Sequence, residues 1–81
     1  MMSVLLPRDG LAPVVSVLRI GARKYSPFGW RRRPIEEHRA AFLRHVEAWR
    51  SGKGPDEESG ESHLAHAVCR ALFVLALEAK K

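Results

Sequence analysis

The 81-residue sequence is poor in cysteine and in long apolar runs, and each shortage excludes a class of protein. Its single cysteine, Cys69, excludes the internal disulfide framework that stabilises many small secreted domains. The longest apolar run, residues 71–77, is far shorter than the roughly 20 residues that a membrane-spanning helix requires. The first residues lack the basic stretch and long apolar segment of a signal peptide. We therefore expect a small cytoplasmic domain that does not contact a membrane.

Several motifs that carry enzymatic chemistry are also missing. The sequence has no glycine-rich phosphate loop, no cysteine pair for zinc, and no serine in the setting of a hydrolase nucleophile elbow. Its helical segments do not present a clear basic face that could read DNA, so nucleic acid is a less favoured partner than a small molecule. Any site must therefore be built from acidic, basic, histidine and aromatic side chains.

The charges are distributed unevenly along the chain. Residues 1–33 carry seven Lys and Arg against a single acid, Asp9, whereas residues 34–81 carry seven against eight acids. A basic first part that faces a later acidic segment suits an anionic ligand held with a divalent cation, such as a nucleotide. It equally suits nucleic acid, or neutralisation of charge within the chain.

Apolar periodicity predicts an all-α fold, a small three-helix domain over residues 11–81 that follows an extended arm at 1–10. The first helix is expected to bury one face, made of Leu11, Val14, Val15, Leu18 and Ala22. The residue Pro13 is tolerated in the first turn of this helix.

The second helix is predicted to begin at Pro34 and to stop at Ser51-Gly52. Its apolar stripe contains two histidines among large hydrophobic residues, at Ile35, His38, Phe42, His45 and Trp49. A histidine on such a stripe is more often a hydrogen-bonded core residue than a ligand, so both roles stay open for His45.

The third helix, from His63 to Leu77, is apolar on nearly every side, with Arg70 as its only charge. A helix of this kind must be covered on most of its surface, which two other short helices can hardly achieve. We therefore predict that it packs in the interface of a homo-oligomer, with Cys69 as a small buried residue.

The connection between the first two helices, residues 21–33, combines three aromatic side chains with five cations. Exposed aromatics next to Arg and Lys are suited to stacking a base and holding a phosphate. The alternative is that Tyr25, Phe28 and Trp30 turn inward and fill a small core while the arginines are solvated.

Acidic residues and two histidines lie together where the third helix begins, in residues 56–66. His63 and His66 are three residues apart and so share one face of a helix. A mixed set of carboxylates and imidazoles could hold Mg²⁺ or Mn²⁺ if the carboxylates dominate, or Zn²⁺ if the histidines do. The structural alternative is a helix cap at Asp56, Ser59 or Ser62 with a solvated acidic face.

Short motifs in this order resemble a known family: Gly21-Ala22-x-Lys24-Tyr25, Trp30, Arg44-His45 and Asp56-x-x-Ser59-Gly60-x-x-His63-Leu64-Ala65-His66-Ala67. The chain is similar over residues 9–79 to small phage and prophage proteins described as dATP/dGTP diphosphohydrolase, N-terminal domain. The resemblance implies an α-helical protein of an infected or lysogenic bacterium that handles purine deoxynucleoside triphosphates with a divalent metal. Lys53 departs from the family, whose members often carry an acid there.

The residues and the resemblance together lead to one hypothesis, metal-dependent hydrolysis of purine nucleoside triphosphates to monophosphate and pyrophosphate. The rival is a binder without catalysis that sequesters a nucleotide, a cyclic-nucleotide signal or a host protein, and nucleic-acid binding is a third alternative. The predicted catalytic and metal-binding residues are Asp56, Glu58 and His63, with Mg²⁺ or Mn²⁺ as the ion. The predicted nucleotide-binding residues are Lys24, Tyr25, Trp30, Arg31, Arg44, His45, Ser59, Gly60 and His66.

Overall fold

The computed structural model describes residues 5–79, which form three α-helices and contain no β-strand. Helix α1 spans Arg8–Lys24, α2 spans Ile35–Arg50 and α3 spans His63–Ala79, and a short 3₁₀ helix at Gly29–Arg32 lies between α1 and α2. The prediction of a small all-α domain with three helices is confirmed. In the described part of the chain, no helix is long and apolar enough to cross a membrane.

Helix α1 begins three residues earlier than its apolar pattern indicated. Residues 8–10 are helical, so the extended conformation predicted for them is wrong, and residues 1–4 of the predicted arm lie outside the described chain. Of the face predicted to be buried, only Val14 is in the core, while Leu11, Val15 and Leu18 are at least 36% exposed. The reason is that α1 contacts α3 through a narrow strip around Val14, and the rest of its apolar face is uncovered.

Helices α2 and α3 form an antiparallel pair that makes up most of the domain. His45 near the end of α2 meets the start of α3, and His38 near the start of α2 meets Arg70 and Phe73 further along α3. Apart from His38, the buried side chains of the domain are small and apolar, which allows the helix backbones to approach closely. These core residues are Val14, Ala41, Ala65, Ala67 and Cys69.

The ends of α2 follow the predicted signals. Pro34 lies just before the first helical residue, and Glu36 and Glu37 occupy the first turn, where the helix dipole favours acids. The helix ends at Arg50, with Ser51 as its C-cap and Gly52 at φ 82°, a left-handed conformation that glycine adopts without strain. On the predicted apolar stripe, however, Trp49 is 50% exposed, because nothing in residues 5–79 covers the last turn of α2 on that side.

Helix α3 leaves an apolar face uncovered. Leu64, Val68, Leu72 and Leu75 repeat at intervals of four, four and three residues and are 39–61% exposed. This spacing places them on one side of the helix, opposite the side that packs on α1 and α2. The oligomer interface was predicted for this helix as a whole, and it stays a prediction.

Candidate functional site

The loop between α2 and α3 folds back on itself and fixes the position of Asp56. The backbone N–H of Asp56 donates to the carbonyl oxygen of Glu61 at 2.9 Å, and the N–H of Gly60 donates to the carbonyl oxygen of Asp56 at 2.8 Å. Gly60 has φ 77°, which explains why glycine stands there. At the start of α3, the Ser62 hydroxyl accepts from the N–H of Leu64 at 3.0 Å and serves as the helix cap.

Ser59 connects Asp56 to His66 through a chain of hydrogen bonds. Asp56 Oδ2 accepts from the Ser59 N–H at 3.0 Å and from the Ser59 hydroxyl at 3.1 Å. Ser59 Oγ also accepts from the N–H of Glu61 and lies 2.6 Å from His66 Nε2. Since the one hydroxyl hydrogen is directed to Asp56, His66 Nε2–H is the donor in the last bond. The arrangement therefore differs from a hydrolase triad, in which the serine donates to the imidazole.

Three imidazoles cluster next to this chain of hydrogen bonds. His45 Nδ1 and His63 Nδ1 are 2.9 Å apart, so one of these nitrogens donates to the other. The rings of His45 and His66 are stacked, with centroids 4.6 Å apart and planes inclined by 16°. The cluster thus joins α2 to the first turn of α3, where His63 and His66 share a helix face as their spacing predicted.

His45, Asp56 and His63 together form a group that could hold a metal ion. One potential ligand atom from each residue lies within 4.8 Å of the others, and all three side chains are partly buried. Asp56 and His63 belong to the predicted metal set, and His45 joins them from the facing helix. Glu58, the third residue of the predicted set, is directed elsewhere: its side chain is 72% exposed and its carboxylate pairs with Lys24.

The surroundings favour the neutral form of His45 and His66 and the charged form of Asp56. The pKa of His45 is lowered to about 4, chiefly by burial, and the neighbouring His66 and His63 contribute in the same direction because like charges repel. Burial also lowers the pKa of His66, against the opposing effect of Asp56. Burial by itself would raise the pKa of Asp56, but the two hydrogen bonds from Ser59, together with the charge effects of His66 and His63, lower the pKa of that carboxyl. Neutral imidazole and ionised carboxylate are the forms that bind metal.

A second feature, an open cavity of about 830 Å³, lies between α1, the 3₁₀ helix and α3. Cationic and aromatic side chains contribute much of its lining: Arg19, Arg32, Arg33, Arg70, Tyr25, Trp30 and Phe73. Glu37 is also present and pairs with Arg33 at 3.1 Å. We name this feature the arginine groove.

The aromatic residues of the connection divide between the two predicted roles. Tyr25 and Phe28 are 67% and 65% exposed, as the binding alternative requires. Trp30 instead packs inward, and its ring lies almost parallel to that of Phe73 with centroids 4.7 Å apart. Arg31, predicted to bind nucleotide, lies 5.2 Å from the centre of the Trp30 ring and 5.3 Å from that of Phe28.

His38 on α2 and Arg70 on α3 form a partly buried contact that the sequence pattern did not predict. His38 is 1% exposed, and its Nε2 lies 2.8 Å from the carbonyl oxygen of Trp30, which can only accept. Its Nδ1 lies 2.9 Å from the Arg70 guanidinium, which can only donate. His38 is therefore a neutral imidazole with its hydrogen on Nε2, and it ties the 3₁₀ helix to α2 and α3. Burial, together with Arg44 and Arg33, lowers the pKa of Arg70.

The residues predicted for one site thus occupy two places. Tyr25 and Trp30 line the arginine groove, while Asp56, Ser59, His63, His66 and His45 form the imidazole cluster. His38 at the groove and His45 at the cluster are seven residues apart on α2, or about 10 Å at the rise of an α-helix. The ion pair of Lys24 with Glu58 connects the end of α1 to the loop that carries Asp56. Arg44 is exposed on α2, and Gly60 supports the loop by its backbone.

Comparison with known proteins identifies the family. The family model described as dATP/dGTP diphosphohydrolase, N-terminal, matches residues 2–81. A Salmonella phage PMBT28 protein named dATP/dGTP diphosphohydrolase is 36% identical over 64 residues, which are 79% of this chain and 22% of that protein. The chain therefore spans less than a quarter of that relative's length, and no solved structure gives a significant match. Since the family model covers nearly the whole sequence, the chain belongs to the dATP/dGTP diphosphohydrolase N-terminal family.

Proposed function

We propose that this domain binds a purine deoxynucleoside triphosphate, with the phosphates in the arginine groove and the base against Tyr25. The observation that carries the proposal is the groove itself, because it combines four arginines with an exposed aromatic ring in one open cavity. The name of the phage relative supports a purine deoxynucleotide as the ligand.

The charges of the groove suit a polyphosphate. Arg19 and Arg32 lie in its wall, and Arg33 has one acidic partner, Glu37. Arg70 is held in place by His38, so its guanidinium is oriented before any ligand arrives. A planar guanidinium group can donate two parallel hydrogen bonds to two oxygens of one phosphate. An arginine that is already held in place loses less conformational entropy on binding than a mobile one.

Of the three aromatic residues that line the groove, Tyr25 is the best placed to stack a base. One face of Trp30 is already covered by Phe73, whereas Tyr25 is 67% exposed. Stacking of a base on an aromatic side chain contributes about 1–3 kcal/mol to binding. The ammonium group of Lys24 lies 5.5 Å from the centre of the Tyr25 ring, in a cation–π contact.

Hydrolysis would require more than binding. In the enzymatic version, Asp56 would supply a carboxylate oxygen to a divalent ion bound with the triphosphate, and a histidine of the cluster would orient the attacking water. Because the groove and the cluster are separate, the triphosphate would have to extend from one to the other. Glu58 could join Asp56 and His63 only if its ion pair with Lys24 opened. One feature favours binding without catalysis: the family resemblance places Lys53 where members often have an acid.

A thermal-shift titration with dATP, dGTP and dCTP, each with Mg²⁺ or Mn²⁺, tests the proposal. A purine triphosphate that binds the folded domain raises the Tm, and the increase grows with the logarithm of the ratio of its concentration to its Kd. Tyr25→Ala should weaken this binding at least about 5-fold, as expected from the loss of one stacking contact. Phe28→Ala is the matched control, since Phe28 is as exposed but does not line the groove.

Chromatography of the nucleotide after incubation separates the two versions. Conversion to monophosphate and pyrophosphate would identify the domain as an enzyme, and recovery of intact triphosphate would identify it as a binder. No shift with either purine nucleotide, or equal losses in the two aromatic variants, would refute binding in the groove.

A further inference from the structure

We propose that His45, Asp56 and His63 bind a first-row transition metal ion of the Zn²⁺ class, and that Mg²⁺ does not bind there. The ion would be resident in the domain and would bind without nucleotide. The imidazole cluster is separate from the arginine groove, so this site does not depend on the proposed nucleotide binding.

The distances between the ligand atoms fit a small coordination sphere. His45 Nδ1 and His63 Nδ1 are 2.9 Å apart, and one atom from each of the three residues lies within 4.8 Å of the others. Two nitrogens on a tetrahedral zinc ion, each about 2.0 Å from the metal, are separated by about 3.3 Å. A small rotation of the two rings is therefore enough to replace their direct hydrogen bond with a shared ion.

The chemistry of the ligands selects the metal. Two of the three donors are imidazole nitrogens, which suit Zn²⁺, Co²⁺ and Ni²⁺. Mg²⁺ prefers oxygen ligands in an octahedral arrangement and keeps most of its water, so a site with one carboxylate is poor for it. The carboxylate that would make the set richer in oxygen, Glu58, is occupied by Lys24.

The surrounding hydrogen bonds prepare the carboxylate for binding. Both bonds from Ser59 fall on Oδ2 of Asp56, which orients the carboxylate and leaves Oδ1 available for an ion. Ser59 is itself held by His66, whose ring stacks on His45. Such partners behind the ligands commonly change metal affinity by about 10- to 100-fold.

Three protein ligands leave one position of a tetrahedral ion open. Structural zinc sites close all four positions with protein, whereas three protein ligands and a water are the pattern of sites that bind an exchangeable ligand. The geometry therefore points to a site that would accept water or an anionic oxygen at the fourth position. Binding would also connect α2, the loop and the start of α3 through one ion.

The test uses protein stripped of metal with a chelator and then dialysed, with no nucleotide present. We expect one equivalent of Zn²⁺ to remain bound after gel filtration and to raise the Tm, and Co²⁺ to bind with a visible absorption spectrum of a tetrahedral site. Mg²⁺ in large excess should neither raise the Tm nor displace Co²⁺, whereas Zn²⁺ should displace it.

Two carboxylate variants from the same loop provide the matched comparison. Asp56→Asn should lose stoichiometric Zn²⁺ although its amide oxygen can still accept both bonds from Ser59, which preserves the loop. Glu58→Gln should bind Zn²⁺ as the unmodified protein does. His45→Gln should lose the ion too, and Ser59→Ala should bind about 10- to 100-fold more weakly.

The proposal fails if less than one equivalent of Zn²⁺ is retained, or if Asp56→Asn and His45→Gln both retain it. It also fails if Mg²⁺ competes with Co²⁺ at comparable concentration. Loss of the ion in Glu58→Gln would instead support the oxygen-rich set predicted from the sequence. Far-UV circular dichroism of each variant separates loss of the site from loss of the fold.

Discussion

The imidazole rings of His45 and His66 stack almost in parallel, with centroids 4.6 Å apart and planes inclined by 16°. Two protonated imidazoles at this separation would repel each other, and both rings are partly withdrawn from water. The stack is therefore compatible with at most one positive charge. This makes the junction of α2 and α3 sensitive to pH when no metal is bound.

We predict that the metal-free domain loses stability as the pH is lowered from about 6.5 to about 4. A histidine in the unfolded chain has its ordinary pKa of 6.5, whereas the pKa of His45 in the folded domain is about 4. Between these values the unfolded chain binds more protons than the folded one, so the free energy of unfolding falls as the pH falls. The lowered pKa of His66 acts in the same direction, and Asp56 adds its own loss only at still lower pH, because its pKa is lowered from 3.8.

Urea unfolding at several pH values in the presence of a chelator measures this dependence. His45→Gln should reduce the slope between pH 6.5 and 4, because it removes the most strongly shifted histidine. A free energy of unfolding that stays constant over this range would contradict the prediction, as would an unchanged slope in the variant.

Replacement of His38 should destabilise the domain without removing metal binding. His38→Ala leaves the carbonyl oxygen of Trp30 and the half-buried guanidinium of Arg70 without this partner, and it opens space next to Phe73. Unpaired buried groups and a small cavity together predict a loss of about 2–4 kcal/mol in the free energy of unfolding.

Chemical denaturation compares this variant with Glu57→Ala. Glu57 is exposed in the loop, so its replacement should change the free energy of unfolding by less than about 0.5 kcal/mol. If His38→Ala were equally mild, the two hydrogen bonds of His38 would not hold the 3₁₀ helix in place.

The four histidines show which parts of the site could be predicted from the sequence and which could not. Helical spacing correctly placed His63 and His66 on one face, and it placed His38 and His45 on one stripe of α2. It could not separate the structural His38 from His45, because that difference depends on whether Arg70 or His63 faces the ring from α3. The partners of Ser59, Asp56 and His66 depend on how the loop folds around Gly60, which no periodic pattern encodes.

The acidic residues show the same limit. From the sequence alone, Asp56 and Glu58 are equally good candidates for metal ligands. In the folded loop, however, their side chains contact different partners. Asp56 is fixed by Ser59, and Glu58 reaches Lys24 at the end of α1.

The apolar pattern of α1 correctly identified the helix but overstated how much of it is buried. Periodicity shows which face of a helix is apolar, but not how much of that face a small domain can cover.

The thiol of Cys69 should be unreactive in the folded domain. Cys69 is 2% exposed, its Sγ lies 3.4 Å from the carbonyl oxygen of Val14, and burial raises the pKa of the thiol to about 11. The thiolate is the reactive form, so a disulfide reagent at neutral pH should react slowly with native protein and rapidly in concentrated urea. Fast labelling of native protein would mean that α1 separates readily from α3.

Self-association through α3 stays a prediction, and the structure indicates which residues would carry it. Leu64, Val68, Leu72 and Leu75 form an exposed apolar face on a 17-residue helix, and a neighbouring copy could remove this face from water. We expect sedimentation velocity to show an oligomer that dissociates on dilution. Leu72→Asp should shift the equilibrium strongly to monomer, because it would bury an unpaired charge in the centre of the contact.

Leu43→Asp is the matched control for this interface. Leu43 is 64% exposed, but it lies on α2 outside the exposed face of α3, so the same new charge should leave the oligomer intact. Equal dissociation by both variants would mean that net charge and not the face of α3 governs association. A protein that sediments as a monomer at every concentration would refute the interface, and the exposed leucines would then have to be covered by a different partner or remain in contact with water.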